Sequence, residues 1–206
     1  MSRPPELARP PASLVGNRIR LDRTRARHAP QIAAAVSQSL PELMQFMDWA
    51  ASGLVRPEDF AEFIAQSHDG WEQHLEYNFV VISREPGADY GRVIGGCGLM
   101  RRVGPAAIEI GYWIRSDQAG RGLATEATAL LVNAAWTLSD VARIEIIRDG
   151  ANEASGRVAD KLGFNEIERR AVEMLCPADS GIDVVHELLR PMSRIEGRHG
   201  APLHDD

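Results

Sequence analysis

The chain has 206 residues, 44% of them apolar and 25% charged, which suits one globular domain with tails. That composition excludes whole-chain disorder, collagen-like repeats and a disulfide scaffold, and Cys97 and Cys176 form no Cys-x-x-Cys pair. A net charge of −6 argues against a main role on nucleic acid, and no apolar run nears the roughly 20 residues that cross a bilayer.

The ends read differently from the middle. Residues 1–15 are rich in proline and small residues and are expected to be a disordered tail. Residues 191–206 are polar and equally tail-like, and Ile195-Glu196-Gly197-Arg198 resembles a protease recognition sequence. The domain is expected over 16–190.

Within it, Ile19 and Leu21 alternate with Arg20 and Asp22, which predicts a first strand. An alanine-rich helix is expected over Ala29–Ser39 and a second, short one over Pro41–Trp49. Pro57-Glu58-Asp59 opens a further helix, since proline suits its first turn and acids its positive end. Phe60, Phe63, Ile64, Trp71 and Leu75 follow its apolar spacing. Strands follow at Phe79–Ile82, Arg92–Arg102 and Ala107–Ile114, with turns at Gly87-Ala88-Asp89 and Gly104-Pro105. A strong helix is expected over Gly122–Thr137, a strand over Arg143–Arg148, a helix over Asn152–Leu162, and strands from Phe164 onward and over Val184–Leu189. This order predicts a mixed α+β domain: one mostly antiparallel sheet of about seven strands with helices on both faces.

The informative segment runs from Ile108 to Ala127. A strand ends, a loop with Gly120 and Gly122 follows, and a helix starts at once. Glycines let a backbone approach a ligand closely, and a helix start offers unpaired N–H groups and a positive dipole end. Together these suit a pyrophosphate. The spacing is not a Walker A loop, because no Gly-Lys-Ser/Thr follows. Nor is it the dinucleotide fingerprint, because the third glycine is missing and an antiparallel meander precedes it.

Glu109 to Ala127 resembles the acetyl-CoA-binding motif of the GNAT N-acetyltransferases, in particular the RimJ/RimL ribosomal-protein type. Ile144-Glu145-Ile146, Asn152-Glu153-Ala154-Ser155 and Leu162-Gly163-Phe164 resemble that subgroup's second signature, and Leu43 to Ala50 its acceptor-side helix. The resemblance covers roughly Arg18 to Leu189.

It implies a GNAT-like sheet whose splayed strands hold acetyl-CoA. Ala119, Gly120, Arg121, Gly122, Leu123, Ala124 and Thr125 would cradle the pyrophosphate through their amides. Tyr112, Trp113 and Ile114 would pair their backbone with the pantetheine arm, as an added strand does. Asn152 would bond that arm, and Ser155 would steady the departing thiolate. The tyrosine acid of many GNATs is absent, since Ala159 occupies its position. Glu109 and Glu173 compete as the general base, and both are expected on strands. Trp49 is the acceptor-cleft candidate among the aromatic residues. The implied activity is acetyl transfer to a primary amine, either a protein N-terminus or a small amine, in the cytoplasm. The resemblance admits a homodimer, while net charge, the lack of a long apolar run and the cysteine and histidine spacing predict no nucleic-acid, membrane or metal partner.

Alternatives stay open at this point. The chain could be an antibiotic or metabolite amine acetyltransferase, a non-catalytic acyl-CoA-binding module, or an interaction domain without a cofactor. Glu109 and Glu173 have plain readings as solvated or salt-bridged residues. His28, His68, His74 and His186 lack metal spacing. Arg101-Arg102 and Arg169-Arg170 read as solvated strand edges, with contact to the CoA 3′-phosphate as the rival reading.

Overall fold

Short runs of β-branched and aliphatic residues build an eight-stranded sheet in the computed structural model, which describes residues 8–53 and 55–191. The strands are β1 (Ser13–Val15), β2 (Ile19–Arg23), β3 (Glu76–Ser83), β4 (Val93–Met100), β5 (Ala107–Ile114), β6 (Arg143–Asp149), β7 (Asn165–Ala171) and β8 (Ile182–Leu189). Their spatial order is β1-β2-β3-β4-β5-β6-β8-β7. Only β5 and β6 run parallel; every other neighbouring pair is antiparallel.

The helices are α1 (Ala29–Leu43), α2 (Ala61–Glu72), α3 (Leu123–Ala135) and α4 (Glu153–Lys161). The period of two along β3 sends alternate residues to opposite faces. Val80 and Ile82 join α1 residues Ile32 and Val36 in one core cluster. Phe79 and Val81 join Leu123, Ala127 and Leu131 of α3 in the other. One sheet therefore carries two cores, as a mixed α+β domain requires.

Several expectations need correction. Ser13–Val15, expected within the N-terminal tail, is an edge strand paired with Arg20–Asp22, which raises the count from about seven to eight; residues 1–7 lie outside the described residues. Pro41 starts no new helix. It sits in the last turn of α1, where its missing N–H removes one bond near an end that frays anyway. Only a short 3₁₀ turn, Asp48–Ser52, follows. Phe63 and Leu75 are 44% and 54% exposed, and Leu75 lies past the end of α2. The stretch around Ile195 falls outside the described residues.

The four histidines among the described residues each make a hydrogen bond. His28 is buried and its Nδ1 accepts from the Arg25 amide at 3.2 Å. His186, buried on β8, accepts from Arg148 Nε at 3.1 Å. His68 and His74 bond Arg23 and the Tyr77 hydroxyl, and no group of metal-ligating side chains forms among the described residues.

Burial pushes the His28 and His186 imidazoles below their ordinary value of 6.5. The unfolded chain then binds more protons than the folded one once the pH drops under that value, so this stability is present above it and is lost on acidification. Denaturant midpoints measured from about pH 7.5 down to about pH 5 fall, and fall less in His28→Gln. Parallel midpoint curves for the two proteins would contradict the assignment.

Candidate active site

The site begins where one strand ladder stops. β5 pairs with β6 only at Ala107–Arg143, Ile108–Ile144 and Glu109–Glu145. Beyond that, β5 stays with β4 as far as Ile114, and β6 stays with β8 as far as Asp149. The two strands part, and a gap opens between them. The Arg115 amide donates to Ile94 at 2.8 Å, toward β4. Strand period then turns the main-chain groups of Ile110, Tyr112 and Ile114 the other way, into the gap.

At the mouth of the gap lies the glycine loop. Gly120 and Gly122 have φ of 73° and 77°, the left-handed region that side chains resist. From Gly120 to Thr125 no main-chain N–H meets an acceptor among the described residues. The Ala119 amide is outside this run: it donates to Ser116 at 3.1 Å, which removes Ala119 from the expected amide cradle. At the other end, Glu126 donates to Gly122. The free amides coincide with the positive end of α3, an arrangement that attracts an anion.

Arginines brace this loop from outside. Arg115, 7% exposed, bonds Asp117 at 2.6 and 2.9 Å and Asp89 at 2.6 Å. Its hydrogen bonds hold the Asp117 carboxyl below the usual carboxylate range. Arg18 pairs with Glu126 at 2.9 Å and donates to the Arg121 carbonyl at 2.7 Å. The Arg121 side chain turns to Glu85 and Gln118, so the residue offers its amide to the gap and its charge to the loop.

Across the gap stands the start of α4. Asn152 caps it, its Oδ1 accepting the Ser155 amide at 3.1 Å, which leaves the Asn152 Nδ2 hydrogens for another acceptor. Ser155 Oγ lies 2.8 Å from the Tyr112 hydroxyl. Burial pushes that phenol up to about 12, so it keeps its proton through neutral pH. The family resemblance implies only a backbone role for Tyr112. A tyrosine hydroxyl does reach the Ser155 position, but from β5 instead of from α4. Its signal was available: Tyr112 shares a strand face with Ile108 and Ile110, the face that looks toward α3.

A cavity of about 1410 Å³ joins the gap, the loop and the helix-lined side of the sheet. Trp49 borders it and faces Trp113, with ring centroids 6.1 Å apart. Gly96 makes room for the Trp113 indole; a Cβ there would lie 2.7 Å from its Nε1. Glu109 is buried at the cavity wall and held by two Arg102 nitrogens at 2.7 and 2.5 Å. Glu173 also borders the cavity, but it lies in the loop after β7, which ends at Ala171, and not on a strand. It is exposed and forms no ion pair among the described residues. Arg101 and Arg102 bind Asp140 and Glu109 at the far end of β4 from the glycine loop, so they do not face a phosphate held there. Arg169 and Arg170 pair with Glu166 and Asp183 at the sheet edge.

Residues 18–165 match the family described as the acetyltransferase (GNAT) domain. No curated protein sequence matches the chain. Among solved structures, the chain resembles the microcin C7 self-immunity acetyltransferase solved with acetyl-CoA and AMP, at 17% identity and a TM-score of 0.74, over 85% of this chain and 94% of that one. It also resembles the RimL ribosomal L7/L12 alpha-N-protein acetyltransferase in complex with coenzyme A, at 18% identity and TM-score 0.74, over 89% and 98%. Mycobacterium smegmatis RimJ in complex with CoA-disulfide matches at 19% and 0.72, over 89% and 86%. At such identities the likeness is one of fold.

The free amides make a direct prediction. Inorganic pyrophosphate raises the melting temperature of the wild-type chain and does not raise that of Gly122→Val, whose side chain resists the left-handed backbone at a cost of about 1–2 kcal/mol. Equal shifts in both proteins would place the anion elsewhere.

Proposed function

The chain belongs to the GNAT acetyltransferase family, and on that premise we propose that it moves an acetyl group from acetyl-CoA to a primary amine by direct attack. The observation that carries this reading is the unbroken run of free amides from Gly120 to Thr125 beside the parted strands β5 and β6. Bound acetyl-CoA supplies an activated thioester, so the protein needs no covalent intermediate of its own. Its tasks are to align two reactants, to take a proton from the amine, and to favour negative charge on oxygen and sulfur.

The residues present fit that carrier. Gly120, Arg121, Gly122, Leu123, Ala124 and Thr125 receive the pyrophosphate on their amides. Tyr112 and Ile114 offer main-chain groups on the open edge of β5 to the pantetheine arm, while Trp113 contributes its indole to the acceptor side. Asn152 donates from Nδ2. Ser155, paired with Tyr112, is the donor for the departing sulfur.

Of the two carboxylates, Glu173 suits the general base better. It is exposed, unpaired among the described residues and borders the cavity. Both Glu109 oxygens are engaged by Arg102. Glu109 is then one half of a structural ion pair at the cavity wall, and Trp49 and Trp113 form the apolar wall of the acceptor pocket.

The acceptor is a protein N-terminus or a small amine. The RimJ/RimL signature residues and the likeness to RimL and RimJ folds support the first. Eight acidic side chains border the cavity against four basic ones, Arg102, Arg148, Arg157 and Lys161, and this acidic excess supports acceptors that carry positive charge. Two free cysteines suit a reducing, cytoplasmic setting.

The test is thiol release from acetyl-CoA with peptides starting Ser or Ala and with small amines, neutral and cationic. Glu173→Gln lowers kcat about 100-fold with little change in KM for acetyl-CoA, and Glu109→Gln lowers it less. The reverse ranking would move the base to Glu109. Acetyl-CoA binding with no release for any amine would favour a non-catalytic binding module.

A further inference from the structure

Arg148 on β6 is an arginine without an acid. Its Nη1 donates to the carbonyls of Asp149 and Gly150, both at 3.0 Å, and its Nε donates to His186 Nε2 at 3.1 Å. No carboxylate lies within salt-bridge reach of it among the described residues. The neighbouring Asp149 carboxylate is turned away, accepting from Ala151 and from Ser180. Nη2 has no protein acceptor among the described residues, and the side chain borders the cavity. All three hydrogen-bond partners of Arg148 are neutral, so no carboxylate pairs directly with its charge; Glu166 of β7 feels its field but is itself paired with Arg169.

The surroundings are built for it. Gly156, in the first turn of α4 next to Ser155, leaves a space that the guanidinium fills: a Cβ at 156 would lie 2.9 Å from Nε and 3.1 Å from Nη2. Alanine is the better helix former by about 1 kcal/mol, so helix propensity does not explain glycine there. His186 is 3% exposed, and its Nδ1 finds no partner. With Nε2 accepting from Arg148, the ring proton sits on that unpartnered Nδ1. A neutral imidazole is thus buried, one polar atom unmatched, for the bond it gives to Arg148.

We infer that Arg148, held by His186 in the space left by Gly156, is a positioning residue for the departing sulfur, and that it acts through the adjacent Ser155–Tyr112 hydroxyl pair. This rests on the acetyl-transfer reading above. As the C–N bond forms and the C–S bond breaks, the bonding pair passes to sulfur, and the amine gives its proton to the general base. A fixed cation packed against Gly156, the residue next to Ser155, favours the thiolate and orients the hydroxyl hydrogens toward it. Its geometry costs no rearrangement at that moment, because His186 and the two carbonyls already hold the fork.

The experiment titrates the thiol of bound CoA by its ultraviolet thiolate absorbance, in the wild type, Arg148→Gln and Gly156→Ala. Bound CoA in the wild type titrates below free CoA. Arg148→Gln shifts the midpoint up by about one pH unit and lowers kcat about tenfold or more, with CoA affinity within about twofold. Gly156→Ala still binds CoA yet shifts the thiol titration the same way, because its Cβ displaces the guanidinium. If Gly156→Ala or a folded Arg148→Gln binds CoA and leaves both the titration and kcat at wild-type values, Arg148 has no such role. If the wild type binds no CoA at all, the acetyl-transfer reading fails first and this inference falls with it.

Discussion

The whole site depends on a parallel ladder that stops early. β5 and β6 hold each other for three residue pairs and then separate, because each remains bound to its outer neighbour, β4 on one side and β8 on the other. Main-chain groups inside a protein need partners. A split in the middle of a sheet therefore leaves an open edge that water or an extended ligand must fill. Tyr112 and Ser155 meet across this split, and the glycine loop stands at its mouth. Closing the ladder would erase the cavity, the edge and the access to the loop together.

Charge is distributed to keep that opening in shape without blocking it. Arg115, Arg18 and Arg121 each answer a carboxylate or a carbonyl outside the gap, so the amides facing it stay free. Arg102 closes on Glu109 and leaves Glu173 the more accessible of these two carboxylates. Arg148 is the exception, hydrogen-bonded only to neutral acceptors.

Much of this was legible in residues and spacing. The strand Ala107–Ile114, the two glycines and the helix after them follow from period and from the backbone freedom of glycine, and the observed bounds agree to within two residues. The C-terminal half reads almost as well, because Asn152 is a good cap and Phe164 a clear return to the core. The errors fell where local signals conflict with packing. Pro41 looks like a helix start, yet α1 carries it in its last turn because Leu43 still packs in the core. Ser13–Val15 looks like tail, yet pairing with β2 makes it a strand. Glu173 looks like strand, yet β7 ends two residues earlier. Ala119 looks like cradle, yet its amide already has Ser116.

The order of elements and the glycine turn before α3 were readable from residues alone, since they rest on short-range properties, side-chain period, glycine conformation and helix polarity, while the family was readable from the likeness of two motifs. Only the tertiary structure decided which donors and acids are free. Whether the amide at 119, the carboxylate at 109 or the charge at 148 has a partner depends on residues far along the chain, such as Ser39 against Ser116, or His186 against Arg148. Such pairings are set by how the sheet and helices pack, and no local pattern records them.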